Sequence, residues 1–379
     1  MGITKIILWR VLPTIVVVLA SIIGWFASHE VPLGTFFATV VPLTKGVLPP
    51  TIVGHGKMKG TKPVPDDFMP QPRPEKELFL DLPGGYKFPQ QGLGMCCRAT
   101  AYDDVLVYRT VLWYLLLGGR HIDGAHLYLN HEAIGKAIAE AIKRGIPRDE
   151  IFVTTKIAPT HFGYESTLEN VRNYVKELGL DYVDLILLHS PSISFFLSSP
   201  CKKEGKDAAT CRAETWLALS ELRKEGLIHN AGVSNFALKH IKEIEALEGE
   251  GGAPIANNQI QFHPFEPESV METVDYCQKK GIAITAYSPL GGIMDKDRSH
   301  ANEVLNDFST KYGKSVSQIM LRWAIQRKCA VIPGTGNPTH MKENLSVYEF
   351  ELSDEDMNTI NQLKYTAKGY TTLNTHNWD

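Results

Sequence analysis

The sequence predicts an α/β protein folded as a (β/α)8 TIM barrel. Short β-rich runs alternate with helical patterns over residues 78–379, and eight such runs can be counted. A segment of that length is typical of eight strand–helix units closed into one barrel. The whole chain has 379 residues and 44% hydrophobic content, which is enough to bury a large core.

Residues 1–30 predict a hydrophobic N-terminal anchor. Residues 11–27 contain no charged side chain, and this length is sufficient for one membrane span. A signal peptide cleaved near Ala27 is the alternative. The apolar run is longer than the hydrophobic region of a usual signal peptide, which favours a retained anchor.

Residues 31–77 predict a juxtamembrane segment followed by an extended, proline-rich linker. Lys5 and Arg10 precede the apolar run 11–27, so the positive-inside rule places the N-terminus in the cytosol and the barrel on the lumenal side. If the apolar stretch 31–44 also inserted, as a hairpin, the barrel would return to the cytosol.

Charge and cysteine content indicate which kinds of ligand the protein is not expected to bind. The net charge is −3 and no basic run appears, so nucleic acid is not expected to bind. The six cysteines lack metal-ligand spacing, and no metal site is predicted. Cys201 and Cys211 bracket a polar, lysine-rich segment. They would form a disulfide in an oxidising lumen or remain free thiols in the cytosol.

The predicted strands are nearly continuous in apolar residues, as expected for parallel strands covered on both faces. They begin near LGMCC and continue as RHIDGA, IFVTTKI, DLILLH, IHNAGVS, PIANNQI, AITAYS and CAVIP. Between them, TLENVRNYVKELG and AETWLALSELRKEG place apolar residues on one helical face. A doubly wound open sheet is the second choice, because GLGMCC lacks the GxGxxG fingerprint that usually follows its first strand.

Polar residues mark the ends of these strands, where TIM barrels carry their active sites. In chain order they are Asp123, Lys156, His189, Ser234, Asn235, Gln259 and Tyr287, with Tyr128 on the loop after the first. Each has an ordinary interpretation, such as a helix cap, a solvated lysine or a core histidine. Their gathering on one face favours a catalytic site.

These residue types suit the reduction of a carbonyl group. A phenol is a weak acid at neutral pH, and a nearby ammonium favours its ionised form. Lys156 would supply that charge to Tyr128, and Asp123 would hold the lysine. His189 would polarise the substrate carbonyl, and Tyr128 would protonate the developing alkoxide. No side chain supplies a hydride, so a nicotinamide cofactor is implied.

Several of the sequence motifs resemble those of the aldo-keto reductase family, in family order over about residues 78–365. They are HIDGAHLY, VTTKI, LILLHSP, GVSNF, NNQIQFHP, AYSPLG and IPGTGN. The resemblance implies NADPH-dependent reduction of an aldehyde or ketone, with Asp123, Tyr128, Lys156 and His189 as the catalytic tetrad. It also implies nicotinamide contacts at Ser234, Asn235, Gln259 and Tyr287, pyrophosphate contacts at Ser288 and Leu290, and adenine contacts at Glu343 and Asn344.

The chain also departs from the family pattern. Gly334 and His340 stand where many members carry the lysine and arginine that hold the 2′-phosphate of NADPH, so NADH use stays open. Met95–Cys96 replaces a frequent Thr-Trp pair, which predicts a less aromatic substrate pocket. Residues 192–212 read as an insertion bordering that pocket. Asn344 heads a glycosylation sequon, which argues against a lumenal barrel because a glycan there would obstruct the cofactor.

The sequence also allows a non-catalytic function. Some barrels that resemble aldo-keto reductases are cofactor-binding, non-catalytic regulatory subunits of membrane proteins, and this chain carries a predicted membrane segment. Turnover of a small carbonyl substrate would distinguish an enzyme from such a subunit.

Overall fold

Eight parallel strands form the centre of the protein. The structure, a computed structural model, describes residues 61–97, 103–191, 199–291 and 299–363. The parallel strands are β3 Leu93–Gly94, β4 His121–Asp123, β5 Phe152–Ile157, β6 Val183–Leu188, β7 Ile228–Ser234, β8 Asn257–Gln261, β9 Ala283–Tyr287 and β10 Cys329–Val331. They pair in sequence order, β3 to β10, each parallel to its neighbour. All eight strands predicted from the sequence are therefore confirmed.

The two edges of the sheet meet. A parallel bridge joins Gln91, just before β3, to Val331 in β10. The backbone NH of Val331 also donates to the Gln90 carbonyl at 2.7 Å, and that of Gly92 donates to the Val331 carbonyl at 2.8 Å. These bonds satisfy backbone groups that an open sheet would leave exposed at its edges. The sheet therefore curls until its first and last strands are linked, as in a barrel.

Helices follow the strands and cover the outside of the sheet. They are α1 Asp104–Leu116, α2 His131–Lys143, α3 Tyr164–Leu178, α4 Pro200–Lys203, α5 Ala208–Lys224, α6 Leu238–Glu245, α7 Glu268–Lys279, α8 Ser299–Tyr312, α9 Val316–Gln326, α10 Pro338–Leu345 and α11 Asp354–Asn361. In α3, Leu168, Val171, Val175 and Leu178 are buried, as the helical periodicity predicts. Gly179 then ends the helix with φ +63°, a left-handed conformation that favours glycine.

A hairpin closes the N-terminal end of the sheet, away from the polar strand ends. It consists of β1 Phe79–Asp81 and β2 Lys87–Pro89, paired antiparallel, and the sequence did not predict it. Phe88 is fully buried there and packs with Phe152 at the start of β5. The hairpin thus shields the apolar floor of the sheet and leaves the opposite end for ligands.

The part of the predicted linker that the structure describes, residues 61–77, lies against α1. The hydroxyl groups of Thr61 and Thr110 are 2.9 Å apart, and the indole NH of Trp113 donates to the Lys62 carbonyl at 2.8 Å. Phe68 packs edge-on against Trp113. Apolar side chains among the prolines, such as Phe68, give this segment a surface to bury against α1.

The predicted anchor at residues 11–27 and the juxtamembrane stretch 31–44 lie outside the described residues. Among the residues that are described, no helix is both long enough and apolar enough to cross a membrane. Two cysteines left open by the sequence, Cys201 and Cys211, are joined in a disulfide with Cα atoms 5.8 Å apart. The bridge links α4 to the start of α5, within the predicted insertion.

Candidate active site

Strand register brings the catalytic candidates together. Asp123 ends β4 and pairs with Thr154 in β5. Lys156 lies two residues farther along β5, and side chains two apart on a strand point to the same face. Its long side chain can therefore reach back to Asp123. This register explains why the side chains of Lys156 and Asp123 lie close together.

Lys156 is bound on two sides. Its Nζ lies 2.5 Å from Oδ1 of Asp123 and 2.8 Å from the carbonyl oxygen of Gly124. The other carboxylate oxygen of Asp123 accepts a 2.6 Å hydrogen bond from Nε2 of Gln259. Burial lowers the pKa of Lys156 and raises that of Asp123, and the attraction between the two charges opposes both shifts. A fixed buried ammonium is thus maintained by one carboxylate.

Tyr128 lies above this ammonium. It ends the short 3-10 turn His126–Tyr128 that follows β4, and its side chain is buried. Lys156 Nζ is 5.3 Å from the centre of the phenol ring. The His189 ring meets the same phenol edge-on, with ring centres 5.6 Å apart. The four members of the predicted tetrad therefore form one contiguous group.

His189 directly follows the last residue of β6. Burial and the nearby Lys156 ammonium lower its pKa to about 3, so the imidazole is neutral at physiological pH. A neutral imidazole can donate one hydrogen bond to a carbonyl oxygen without competing with Tyr128 as the acid. Asn235 holds the histidine in place by donating from Nδ2 to the His189 carbonyl at 3.0 Å.

The predicted nicotinamide contacts form a second network beside the tetrad. Asn235 Oδ1 accepts a 2.8 Å hydrogen bond from the Tyr287 hydroxyl, and Asn235 Nδ2 donates to Ser234 Oγ at 3.2 Å. The Ser234 hydroxyl donates to the Gln259 carbonyl at 2.9 Å. Asn235 has a left-handed φ of +64°, which turns its amide from the strand end back over the site. Gln259 connects this network to Asp123.

The remaining predicted cofactor contacts lie along the next strand ends. Ser288 follows β9 with φ +47°, and its exposed side chain stands at the rim, followed by the half-buried Leu290. His340 is exposed in α10, where Glu343 is half-buried and Asn344 is buried. The assignment of these five positions as cofactor contacts stays a prediction.

Several site components have no strong sequence signal. The Gly124 carbonyl that binds Lys156 is a backbone group. Asn130 Nδ2 donates to the carbonyl of Met95 at 3.0 Å, which links the loop after Tyr128 to the end of β3.

Known proteins resemble this chain in sequence. The sequence model of the Aldo/keto reductase family matches residues 84–364. Glycerol 2-dehydrogenase (NADP(+)) of Saccharomyces cerevisiae is 36% identical over 324 residues, which cover 82% of this chain and 98% of the yeast protein. Glyoxal reductase of Bacillus subtilis is 38% identical over 286 residues, covering 75% of this chain and 92% of the relative.

A solved structure resembles this chain in fold. The aldo-keto reductase of Bombyx mori in complex with NADP superposes with a TM-score of 0.68 at 30% identity, over 80% of this chain and 97% of that one. The family match spans more than half of the sequence, and the relatives are covered almost completely. The chain therefore belongs to the aldo/keto reductase family of oxidoreductases.

Proposed function

We propose that this protein reduces the carbonyl group of a small aldehyde or ketone to an alcohol, with NADPH as the hydride donor and Tyr128 as the proton donor. One observation carries the proposal. Lys156 Nζ, fixed by Asp123 and the Gly124 carbonyl, lies 5.3 Å from the Tyr128 ring, and neutral His189 lies against the same ring. An acid, a charge that favours its ionisation and a carbonyl-binding group thus converge on one point.

The donor set beside the tetrad fits a nicotinamide ring. Ser234, Asn235 and Gln259 offer hydroxyl and amide groups suited to a carboxamide, and Tyr287 offers a half-buried aromatic face for stacking. When bound, the reduced nicotinamide supplies the hydride that no side chain can. The yeast relative is named for NADP, and the Bombyx mori structure contains it, which supports NADPH.

The residues of this chain would perform four tasks. His189 orients the carbonyl oxygen by a hydrogen bond. Tyr128 transfers its phenolic proton to that oxygen as negative charge develops there, and Lys156 stabilises the phenolate that remains. Asp123 keeps the lysine in place. Burial of Tyr128, Lys156 and Asp123 excludes water and strengthens each of these interactions.

The direct test is a panel of aldehydes and ketones assayed with NADPH and with NADH, using the purified full-length chain. We expect cofactor oxidation that depends on a carbonyl substrate. A protein that binds NADPH but reduces no member of the panel would contradict the proposal. The non-catalytic alternative is not favoured, because the relatives described above are named as a reductase and a dehydrogenase.

Cofactor preference can be tested at His340. If this exposed side chain faces the 2′-phosphate, His340→Arg should raise the NADPH-to-NADH ratio of kcat/KM by about tenfold, the effect of one added charge-assisted hydrogen bond of ~1.5 kcal/mol. Asn358→Arg, which adds the same charge on the exposed side of α11, is the matched control. An equal rise in both variants would remove His340 from the cofactor site.

We also propose that residues 11–27 anchor the chain in a membrane, with the charge rule placing the barrel in the lumen. The Cys201–Cys211 disulfide suits an oxidising compartment. Protease treatment of intact microsomes distinguishes the two sides. Digestion of the barrel without detergent would place it in the cytosol and contradict the lumenal assignment.

A further inference from the structure

A second cluster of chemically reactive side chains lies behind the turn that carries Tyr128. His126 begins that turn, His131 begins α2, and Glu177 lies in the last turn of α3. One potential ligand atom from each lies within 4.8 Å of the others. In tetrahedral zinc sites the ligand atoms are separated by roughly 3.3–3.5 Å, given metal–ligand bonds of about 2.0–2.1 Å. Small side-chain rotations would therefore complete such a set here.

His131 is already oriented like a metal ligand. Its Nδ1 lies 2.8 Å from Oε2 of Glu177, and its Nε2 lies 2.7 Å from the hydroxyl of Thr155. Histidines that bind metals usually engage their second ring nitrogen in a hydrogen bond of this kind, which fixes the ring. Thr155 thus occupies the supporting position, and Nδ1 is directed toward the cluster.

His126 is held by aromatic packing. Its ring stacks on Tyr174, with centres 4.7 Å apart and planes at 17°, and the His161 ring lies 4.7 Å from it. Packing of this kind limits the entropy that ordering a ligand would cost.

We propose that His126, His131 and Glu177 bind one divalent metal ion of the zinc class, with water completing the coordination. Two imidazole nitrogens and one carboxylate oxygen suit Zn²⁺, whereas Mg²⁺ and Ca²⁺ prefer sets made of oxygen alone. The Glu177 side chain is 40% exposed, so an ion can enter from solvent.

The expected role of the ion is structural. It would connect the turn that ends in Tyr128 to the first residue of α2 and the last turn of α3. His126 is only two residues from the proposed acid, and Thr155 precedes Lys156 directly in β5. The ion would therefore stabilise the backbone that positions Tyr128 and Lys156, without contacting substrate.

The test uses the full-length chain, stripped with a chelator and titrated with Zn²⁺ or Co²⁺ as the probe. We expect one equivalent of Zn²⁺ to bind and to raise Tm, and Co²⁺ to give the visible absorption of a site with nitrogen ligands. Glu177→Gln and His131→Gln should each abolish the binding of Zn²⁺, the rise in Tm and the Co²⁺ absorption. Glu177 is partly exposed, so its variant should fold normally, which circular dichroism can confirm.

Glu132→Gln is the matched control, because this exposed carboxylate follows His131 directly but pairs with Lys136 instead. It should bind Zn²⁺ like the unmodified chain. Three results would overturn the site: no stoichiometric binding by the unmodified chain, unchanged binding by the Glu177 and His131 variants, or equal stabilisation by Mg²⁺. None of these depends on turnover, so the metal site and the proposed reductase activity fail or succeed separately.

Discussion

Tyr128→Phe should lower carbonyl turnover by at least ~10² while NADPH binding is retained. The substitution removes the phenolic proton and keeps the ring that packs against His189. Positioned acid catalysis contributes about 10²–10⁴-fold, and the neutral imidazole of His189 beside the ring is a poor substitute for the lost acid. Steady-state kinetics and NADPH fluorescence measure the two effects.

The loss should appear in kcat and in kcat/KM equally, because the proton is transferred only in the transition state. Tyr276→Phe serves as the matched control. That tyrosine lies on α7 and donates to Glu245 at 2.6 Å, outside the site. If Tyr128→Phe kept near-normal turnover, or if both tyrosine variants lost activity alike, Tyr128 would not be the proton donor.

The strands were predictable because their signals are local. Buried parallel strands are apolar on both faces, so runs such as DLILLH and IFVTTKI identify β6 and β5 without any knowledge of the fold. The hairpin that closes the N-terminal end was not predicted. Phe88 is buried there by residues from several strands, and such contacts between distant segments leave no periodic pattern in β1 and β2.

The active-site candidates were predictable for a different reason. In a barrel, the end of every strand faces the same opening, so polar residues at strand ends converge whatever their separation in sequence. Asp123, Lys156 and Gln259 are far apart in the chain and yet hydrogen-bonded in the structure. The sequence could not show whether a polar side chain at a strand end binds the cofactor or supports a catalytic residue. Gln259, assigned to the nicotinamide, also donates to Asp123.

The proposed metal site shows where sequence reasoning reaches its limit. His126 and His131 lie five residues apart, which is not a spacing that a single helix or strand uses for two ligands. They converge because a 3-10 turn separates β4 from α2, and Glu177 joins them only through the packing of α3 on α2. Tertiary packing rather than local pattern assembles the cluster.

Single substitutions in the Asp123–Lys156 pair should destabilise the fold as well as abolish turnover. Both side chains are buried, at 2% and 1% exposure. Asp123→Asn leaves the Lys156 ammonium without its carboxylate, and Lys156→Met leaves the carboxylate without its cation. Breaking a buried ion pair in this way costs about 3–5 kcal/mol. Denaturant unfolding should report that loss for each single variant.

The double variant Asp123→Asn/Lys156→Met separates stability from catalysis. Replacing both members of a buried pair is often neutral, because no uncompensated charge is left in the interior. We therefore expect the double variant to recover most of the free energy of unfolding while its turnover stays at least ~10² below that of the unmodified chain. Glu225→Gln, which removes an exposed partner of Arg172, is the control and should cost less than about 1 kcal/mol.

Each outcome of this cycle has a distinct meaning. Stability regained without activity is expected if the pair exists to hold an ammonium beneath Tyr128 at a cost to the fold. Turnover regained together with stability would show that the pair only supports the barrel, and it would remove Lys156 from the mechanism. Single variants as stable as the unmodified chain would contradict the burial of the pair. In that case the 2.6 Å hydrogen bond from Gln259 would be the remaining restraint on Asp123. The stability of Gln259→Leu, measured by denaturant unfolding, would test that restraint.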